Sequence, residues 1–280
     1  FTLAEALGHK EKAALLLATD PDGDRLGVAV LHKDTYIYLD GSLLGSLLLD
    51  YLIKINPPQK GAVMMTTIVT PKLGTIIAEK HGIKVRNTLT GFKFIGEQIA
   101  LLPTDEYFYF GYEESFGYLF SPEVRDKDAF QALIMTTNMF HYYFENGKDI
   151  LTIIAEMYEQ YGYFNDDLLN YEFIGIKGQT LIKNIMQDIR ANTNKLWAGI
   201  DVLSTEDYLS GVKTNKGKEN TKLTLPVSDV YRVLFESGAV AFRPSGTEPK
   251  MKIYISIFAP SKKDADNKFN LVKGRIIKFM

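Results

Sequence analysis

The sequence predicts an α/β fold in two parts: a mixed-sheet α/β layer followed by a smaller α+β domain. Two patterns predict it. From about residue 40 to 160, apolar residues switch repeatedly between helical and strand spacing, which implies mainly parallel strands with helices between them. After Gly162 the runs become long, β-rich and separated by turns, which implies antiparallel pairing. A chain of 280 residues also exceeds what one hydrophobic core usually serves, so two or three domains are expected.

Taken in order, residues 1–12 read as the tail of a short helix and 13–18 (AALLLA) as a buried strand. LGVAVLHK and TYIYL are strands joined by a turn at Lys33-Asp34. Residues 42–55 carry apolar side chains at helical spacing, AVMMTT is a short strand, and PKLGTIIAEKHG is a helix closed by Gly82. IKVRN, GFKFIGEQIALL and EYFYFGY follow as strand, helix and strand. Helices over 126–145 and 149–161 come next, with Asp126 the expected N-cap and Lys127 in the first turn. In the second part LNYEFIGI, DVYRVLFESGAVAF and MKIYISIF are β-rich, with helices at 178–192 and near the C-terminus. The segment 210–222, SGVKTNKGKENTK, reads as a lysine-rich solvated loop.

Composition narrows the functional classes. With 46% hydrophobic and 24% charged residues, the chain is an ordinary globular one. A net charge of -2 supplies no field for nucleic acid or an anionic membrane, so neither is an expected partner. The absence of cysteine excludes disulfides, a thiolate nucleophile and a Cys-type zinc site, and fits a reducing, cytoplasmic compartment. The apolar run LLGSLLLDYLIKI is interrupted by Asp50 and Lys54, short of the ~18 residues of a membrane span. FTLAEALGHKEK has neither an initiator Met nor a signal-peptide core, so the chain is expected to be part of something longer.

Three loops carry chemistry. The first, D-P-D-G-D-R, places Asp20, Asp22 and Asp24 within a few residues between two apolar runs. It is no EF-hand loop, because Arg25 stands at the required glycine and Leu31 at the required glutamate. Three oxygen donors at this spacing suit one hard cation, Mg²⁺ above others, and the Arg25 fork suits a phosphate or sugar oxygen. The plainer alternative is a surface turn with Arg25 in a local ion pair. The second loop, in EYFYFGYEESFGYL, offers Glu113, Glu114 and Ser115 at a strand end, where carboxylates accept sugar hydroxyls. Adjacent exposed glutamates are common on loops, and taken alone this plainer reading is the better one. A lysine at position 127, opposing the dipole of a helix that starts there, hints at an anion nearby. The third loop, in GAVAFRPSGTEPKMKIYI, offers Arg243, Ser245, Gly246 and Thr247, an inventory that fits a phosphate nest or a plain Pro/Gly turn. It is not a Walker A loop, since no GK[ST] opens a helix. Together the loops offer a cation site, a hydroxyl-reading site and an anion site, a set suited to a phosphorylated sugar.

In this order and spacing the loops resemble those of the α-D-phosphohexomutase superfamily, most of all bacterial phosphoglucomutase/phosphomannomutase. DPDGDR resembles the metal loop, TGFKFIG a helix start in the third domain, GYEESFGY the sugar loop and RPSGTEPK the phosphate loop. The resemblance implies that residues 1–40 are the end of domain 2 with the metal loop, 41–163 the sugar-binding domain 3, and 164–280 the phosphate-binding domain 4, which in the family resembles the TATA-binding-protein fold. It implies Mg²⁺ on Asp20, Asp22 and Asp24, and Arg25 as the catalytic group orienting the transferring phosphate. Thr90, Gly91, Glu113, Ser115 and Lys127 would bind substrate, and Arg243, Ser245, Gly246 and Thr247 its phosphate. The implied reaction interconverts hexose 1-phosphate and hexose 6-phosphate through glucose 1,6-bisphosphate or its mannose counterpart. The family's phosphoserine loop, of the form T-A-S-H-N-P, does not occur in these 280 residues, so this chain alone is expected to be inactive. Gly41-Ser42-Leu43 stands where many relatives are more polar. The rival reading is a non-catalytic sugar-phosphate-binding protein. A Mg-dependent phosphatase ranks lower, because D-x-D is followed here by Gly-Asp.

Overall fold

In the computed structural model all residues are described except Ile174 and Thr247; for residues 175–177 only the backbone is described. The chain forms two compact units, Phe1–Tyr161 and Gly162–Met280.

The first unit opens with α1 (Thr2–Glu11) and an antiparallel sheet of β1 (Leu15–Thr19), β2 (Leu26–His32) and β3 (Thr35–Leu39) in that order. Lys33 and Asp34 both take positive φ, 45° and 65°, the two-residue hairpin turn whose twist matches the strands it joins. The aspartate loop is the β1–β2 connection. Next comes α2 (Gly41–Ile55), capped by Asp40, whose carboxylate accepts the N–H groups of Ser42 and Leu43 at 3.0 and 2.8 Å.

A second sheet has the order β5-β4-β6-β7. It alternates with helices along the chain: β4 (Ala62–Thr67), α3 (Leu73–Lys80), β5 (Lys84–Thr88), α4 (Phe92–Ala100), β6 (Tyr107–Glu113) and β7 (Gly117–Leu119). β4 runs parallel to β5 and β6, while β7 folds back antiparallel on β6. Every residue of β4 is buried, as a central strand covered on both faces must be. On one face Val63 and Met65 pack with Phe92, Ile95 and Ile99 of α4. Two further helices, α5 (Ala129–Glu145) and α6 (Ile150–Tyr161), complete the unit.

One expected cap is corrected. Asp128, not Asp126, caps α5: its carboxylate accepts from Phe130 and Gln131 at 2.8 and 3.0 Å. Asp126 accepts its neighbour's N–H and reaches no amide of the helix, so Lys127 precedes the helix instead of lying in its first turn. An aspartate two residues later puts its oxygen under the N2 and N3 amides, which is where a cap works.

The second unit comprises β8 (Tyr163–Glu172), α7 (Gly175–Ala191), α8 (Thr193–Leu196), β9 (Val202–Asp207), β10 (Val212–Asn215), β11 (Thr221–Lys222), β12 (Tyr231–Phe235), β13 (Gly238–Pro244), β14 (Lys250–Ala259) and α9 (Lys262–Phe279). All pairings in its seven-stranded sheet, β11-β10-β9-β12-β13-β14-β8, are antiparallel. Ile182, Met186 and Ile189 of α7 and Val272 and Ile276 of α9 pack with Val233, Val240, Phe242, Ile253 and Ile255 of the sheet. The lysine-rich segment expected as a loop holds the short strands β10 and β11. Its alternating Lys and Thr gave no apolar face to read, and β9 (VLSTED) is hidden for the same reason. The first strand of this unit spans 163–172, earlier than LNYEFIGI suggested.

Candidate functional site

The aspartate loop is folded around its first residue. Asp20 Oδ1 accepts the N–H groups of Asp24 and Arg25 at 3.1 and 2.9 Å, and Gly23 takes φ 69° to close the turn. Desolvation pushes the Asp20 carboxyl upward. The Arg25 and Asp24 amides outweigh it and hold Asp20 below its ordinary value. One carboxylate oxygen from each of Asp20, Asp22 and Asp24 lies within 4.8 Å of the others. Cations surround the cluster: Arg25 Nε stands 3.8 Å from Asp20 and 3.6 Å from Asp24, and Lys127 Nζ is 2.5 Å from Asp24 Oδ2. The other Asp24 oxygen, Oδ1, is buried without a hydrogen-bond partner. An oxygen-only donor set with one orphaned carboxylate oxygen fits a hard divalent cation.

The glutamate loop follows β6. Glu113 is the last residue of that strand and only 4% exposed, so it is not the solvated acid that neighbouring loop glutamates usually are. Its Oε1 accepts the Gly91 N–H at 2.7 Å, at the start of α4, where Gly91 takes φ 114°. Burial is the main force pushing the Glu113 carboxyl up to about 7, and Glu114 adds to it. The Gly91 amide, Lys127 and Arg25 pull the other way. Glu114 Oε2 accepts the hydroxyls of Thr67 and Thr70 at 3.2 and 3.1 Å, which ties the loop to the end of β4. Phe116 then takes φ 67°, uncommon for a residue with a side chain, and lets the chain reverse into β7. Ser115 and Thr90 are half-buried in their two turns.

One backbone bond joins these loops, and a second ties the aspartate loop to the start of α5. Leu26 N–H donates to the Phe116 carbonyl at 3.1 Å, and Ala129 N–H to the Gly23 carbonyl at 3.2 Å. The structure therefore brings the three aspartates, Arg25, Gly91, Glu113 and Lys127 into one cluster within the first unit. Thr67, Thr70 and Phe116 support it and were not singled out in the sequence, whereas Gly41, which also supports it, was noted only as a departure from its relatives. Only the clustering of threonines after β4 was there to be read.

In the second unit Arg243, half-buried, is the last residue but one of β13, with Nη1 3.4 Å from Tyr254 Oη. Ser245 N–H donates to the Lys250 carbonyl at 2.8 Å, and Ser245 Oγ accepts the Glu248 N–H at 3.3 Å. These bonds close a tight turn over Gly246, around which a side chain would meet nothing within 4 Å. Thr247 lies outside the described residues. A guanidinium, a hydroxyl and an open backbone at one turn suit an oxyanion.

Comparison with known proteins agrees with this division. Residues 40–161 match the family model for phosphoglucomutase/phosphomannomutase, alpha/beta/alpha domain III, and residues 203–265 match the one for its C-terminal domain. A phosphoglucomutase of Staphylococcus epidermidis is 38% identical over 247 residues, which is 88% of this chain and 45% of that protein. The chain thus spans about half the length of the curated relatives it matches. Among solved structures, the open form of parafusin, a phosphoglucomutase from Paramecium, superposes with a TM-score of 0.66 at 21% identity, covering 100% of this chain and 49% of that one. An Aspergillus fumigatus N-acetylphosphoglucosamine mutase in complex with glucose 1,6-bisphosphate gives a TM-score of 0.54 at 14% identity, over 94% and 48%. These two likenesses show the fold. No helix among the described residues is long and apolar enough to cross a membrane.

Proposed function

The chain belongs to the phosphoglucomutase/phosphomannomutase family, and from that premise we propose that it is the part of a phosphohexomutase that binds metal, sugar and phosphate. The proposed substrates are hexose 1-phosphate and hexose 6-phosphate of glucose or mannose, interconverted through a bisphosphate of the kind held by the Aspergillus relative. The observation that carries the reading is the cluster of three carboxylates, Arg25, Lys127 and buried Glu113, built by two loops that are hydrogen-bonded to each other.

Asp20, Asp22 and Asp24 are the proposed holders of Mg²⁺, which when bound supplies positive charge against a transferring phosphoryl group. Arg25 is free to turn its fork from the aspartates to phosphate oxygens, since its side chain is half exposed. Glu113 and Ser115 offer acceptors to sugar hydroxyls, and the Gly91 amide keeps the Glu113 carboxylate aimed at one place. In the second unit Arg243, Ser245, Gly246 and Thr247 are the proposed phosphate grip. Residues 1–40, 41–163 and 164–280 are proposed as the end of domain 2, domain 3 and domain 4. The separate three-stranded sheet of β1 to β3 supports the first boundary.

Phosphoryl transfer needs a donor held in line with its acceptor, and no phosphoserine loop occurs in this sequence. Losing a positioned nucleophile forfeits an effective molarity of order 10⁵ M or more. The test is a coupled assay of glucose 1-phosphate to glucose 6-phosphate with glucose 1,6-bisphosphate and Mg²⁺. The 280-residue chain is expected to bind glucose 6-phosphate by calorimetry and to show no turnover. Turnover abolished by Asp22→Ala would reveal a nucleophile within this chain. Absence of sugar-phosphate binding would overturn the proposal. The rival, a non-catalytic sugar-phosphate-binding protein, draws support from the same missing loop. Turnover on adding the phosphoserine segment of a relative in trans would decide against it.

A further inference from the structure

Lys127 belongs to no helix or strand, yet its side chain is only 16% exposed. Its stem crosses Gly117, where a Cβ would stand 2.8 Å from Lys127 Cδ. The backbone just beyond it is fixed twice. Asp128 N–H donates to the Tyr118 carbonyl at 2.9 Å, and Ala129 N–H to the Gly23 carbonyl at 3.2 Å. A lysine stem clamped in this way has lost most of its usual freedom, and its ammonium is delivered to Asp24. Nζ lies 2.5 Å from Asp24 Oδ2 and 3.7 Å from Asp126 Oδ1. Asp24 Oδ1 is meanwhile buried without a hydrogen bond, with only Arg25 Nε at 3.6 Å. A divalent ion entering among the three carboxylates therefore meets a cation already seated on one of its ligands.

We propose that Lys127 is a built-in counter-ion of the aspartate loop: it must leave Asp24 before a divalent cation binds well, and a sugar phosphate draws it off. The inference rests on the reading of this loop as a metal site. Three carboxylates within 4.8 Å repel one another, and the ammonium offsets that repulsion when no metal is bound. A divalent ion and an ammonium on one carboxylate repel in turn, so the two compete. A phosphate gives the ammonium a strong alternative acceptor within the same cluster. Metal and sugar phosphate then favour each other through one side chain, and by linkage the effect is equal in both directions.

The probe is Mn²⁺, whose free concentration is read from its paramagnetic resonance signal. It is titrated into the 280-residue chain and its Lys127→Met, Lys127→Gln and Asp22→Asn variants, each checked for folding by circular dichroism. Lys127→Met is expected to bind Mn²⁺ about tenfold more tightly than the parent. Saturating glucose 1,6-bisphosphate, which carries two phosphates and so has one for Lys127 besides the one assigned to Arg243, is expected to tighten Mn²⁺ binding of the parent about fivefold and to leave Lys127→Met unchanged, within the range of ordinary site-to-site coupling. Lys127→Gln replaces Lys127→Met if the latter does not fold. Unchanged or weaker Mn²⁺ binding without the lysine overturns the proposal. So does a glucose 1,6-bisphosphate effect that persists in the variant, because a mere loss of positive charge would leave that effect in place. Asp22→Asn separates the premise from the inference. If it binds Mn²⁺ like the parent, the loop is not the metal site and both fall. If it loses Mn²⁺ while Lys127→Met gains nothing, only the counter-ion falls.

Discussion

Gly41 and Glu114 approach so closely that a Cβ on Gly41 would stand 2.3 Å from the Glu114 carbonyl oxygen, and 2.8 Å from the Phe116 amide nitrogen. The first turn of α2 is thus the floor on which the glutamate loop rests. Gly41→Ala should move that loop or strain the helix start, destabilising the protein by about 1–3 kcal/mol. Urea unfolding reads the loss directly, and an unchanged midpoint would mean the loop yields freely. Glucose 6-phosphate affinity should fall as well.

Glu113 makes stability depend on pH with a definite sign. The folded protein holds its proton up to about 7, while the unfolded chain releases it near 4.5. Between those values the folded state binds more protons, so stability falls as pH rises across the window and is flat above it. Glu113→Gln keeps an acceptor for the Gly91 amide and removes the charge. At pH 8 the variant should exceed the parent in stability, by at most on the order of 3 kcal/mol. At pH 4.5 the two should be equal. Parallel profiles from pH 4.5 to 8 would show that Glu113 is solvated and ordinary.

Arg243→Ala should weaken glucose 6-phosphate binding by about 1.5–3 kcal/mol, the worth of a charge-assisted contact. Calorimetry on the purified chain measures it. Equal affinity of variant and parent would remove Arg243 from the phosphate site.

Away from the loops, Asp50 on α2 accepts from Lys54 Nζ at 2.7 Å and from Tyr143 Oη of α5 at 3.2 Å, and Lys54 also reaches Tyr143 Oη at 2.9 Å. Asp50→Ala leaves a buried phenol and a partly covered ammonium without their shared acceptor. A loss of about 2 kcal/mol is expected in chemical denaturation. Lys54→Met should cost less, because 42% of the Lys54 side chain is already exposed. If it costs more, the ammonium rather than the carboxylate holds the pair of helices.

Much of this molecule was legible in its sequence, and the reasons differ from place to place. AVMMTT is buried along its whole length, and Lys33-Asp34 is the only polar pair between two β-rich runs, so β4 and the β2–β3 hairpin stand out. Asp126 and Asp128 illustrate the limit. Both are plausible caps two residues apart, and only the path of the chain after Arg125, itself at φ 58°, decides which amides lie within reach. The aspartate loop announced itself because three acids in five residues need a counter-charge. Glu113 did not reveal its burial, since that depends on a turn at Gly91 twenty-two residues earlier. Of the supporting groups, Gly41 acts through backbone proximity and the two threonines through hydroxyls on Glu114, a partner more than forty residues away that only the fold brings to them.

The pairing of β8 with β14 has a consequence for how the second unit comes into being. Tyr163 lies opposite Ala259 and Glu172 opposite Lys250, so the unit's first strand is completed by its last. During synthesis at 5–20 residues per second, β8 therefore waits on the order of 4–20 s beyond its own emergence before its partner exists. Throughout that interval one long strand, rich in Tyr, Phe and Leu, is an open template at the ribosome exit. Asp166, Asp167 and Asn165 interrupt its apolar run, and such charges discourage a neighbouring nascent chain from pairing there first. The three-stranded meander of the first unit, closed by local turns, faces no such delay, and the halves of this chain are born on different clocks.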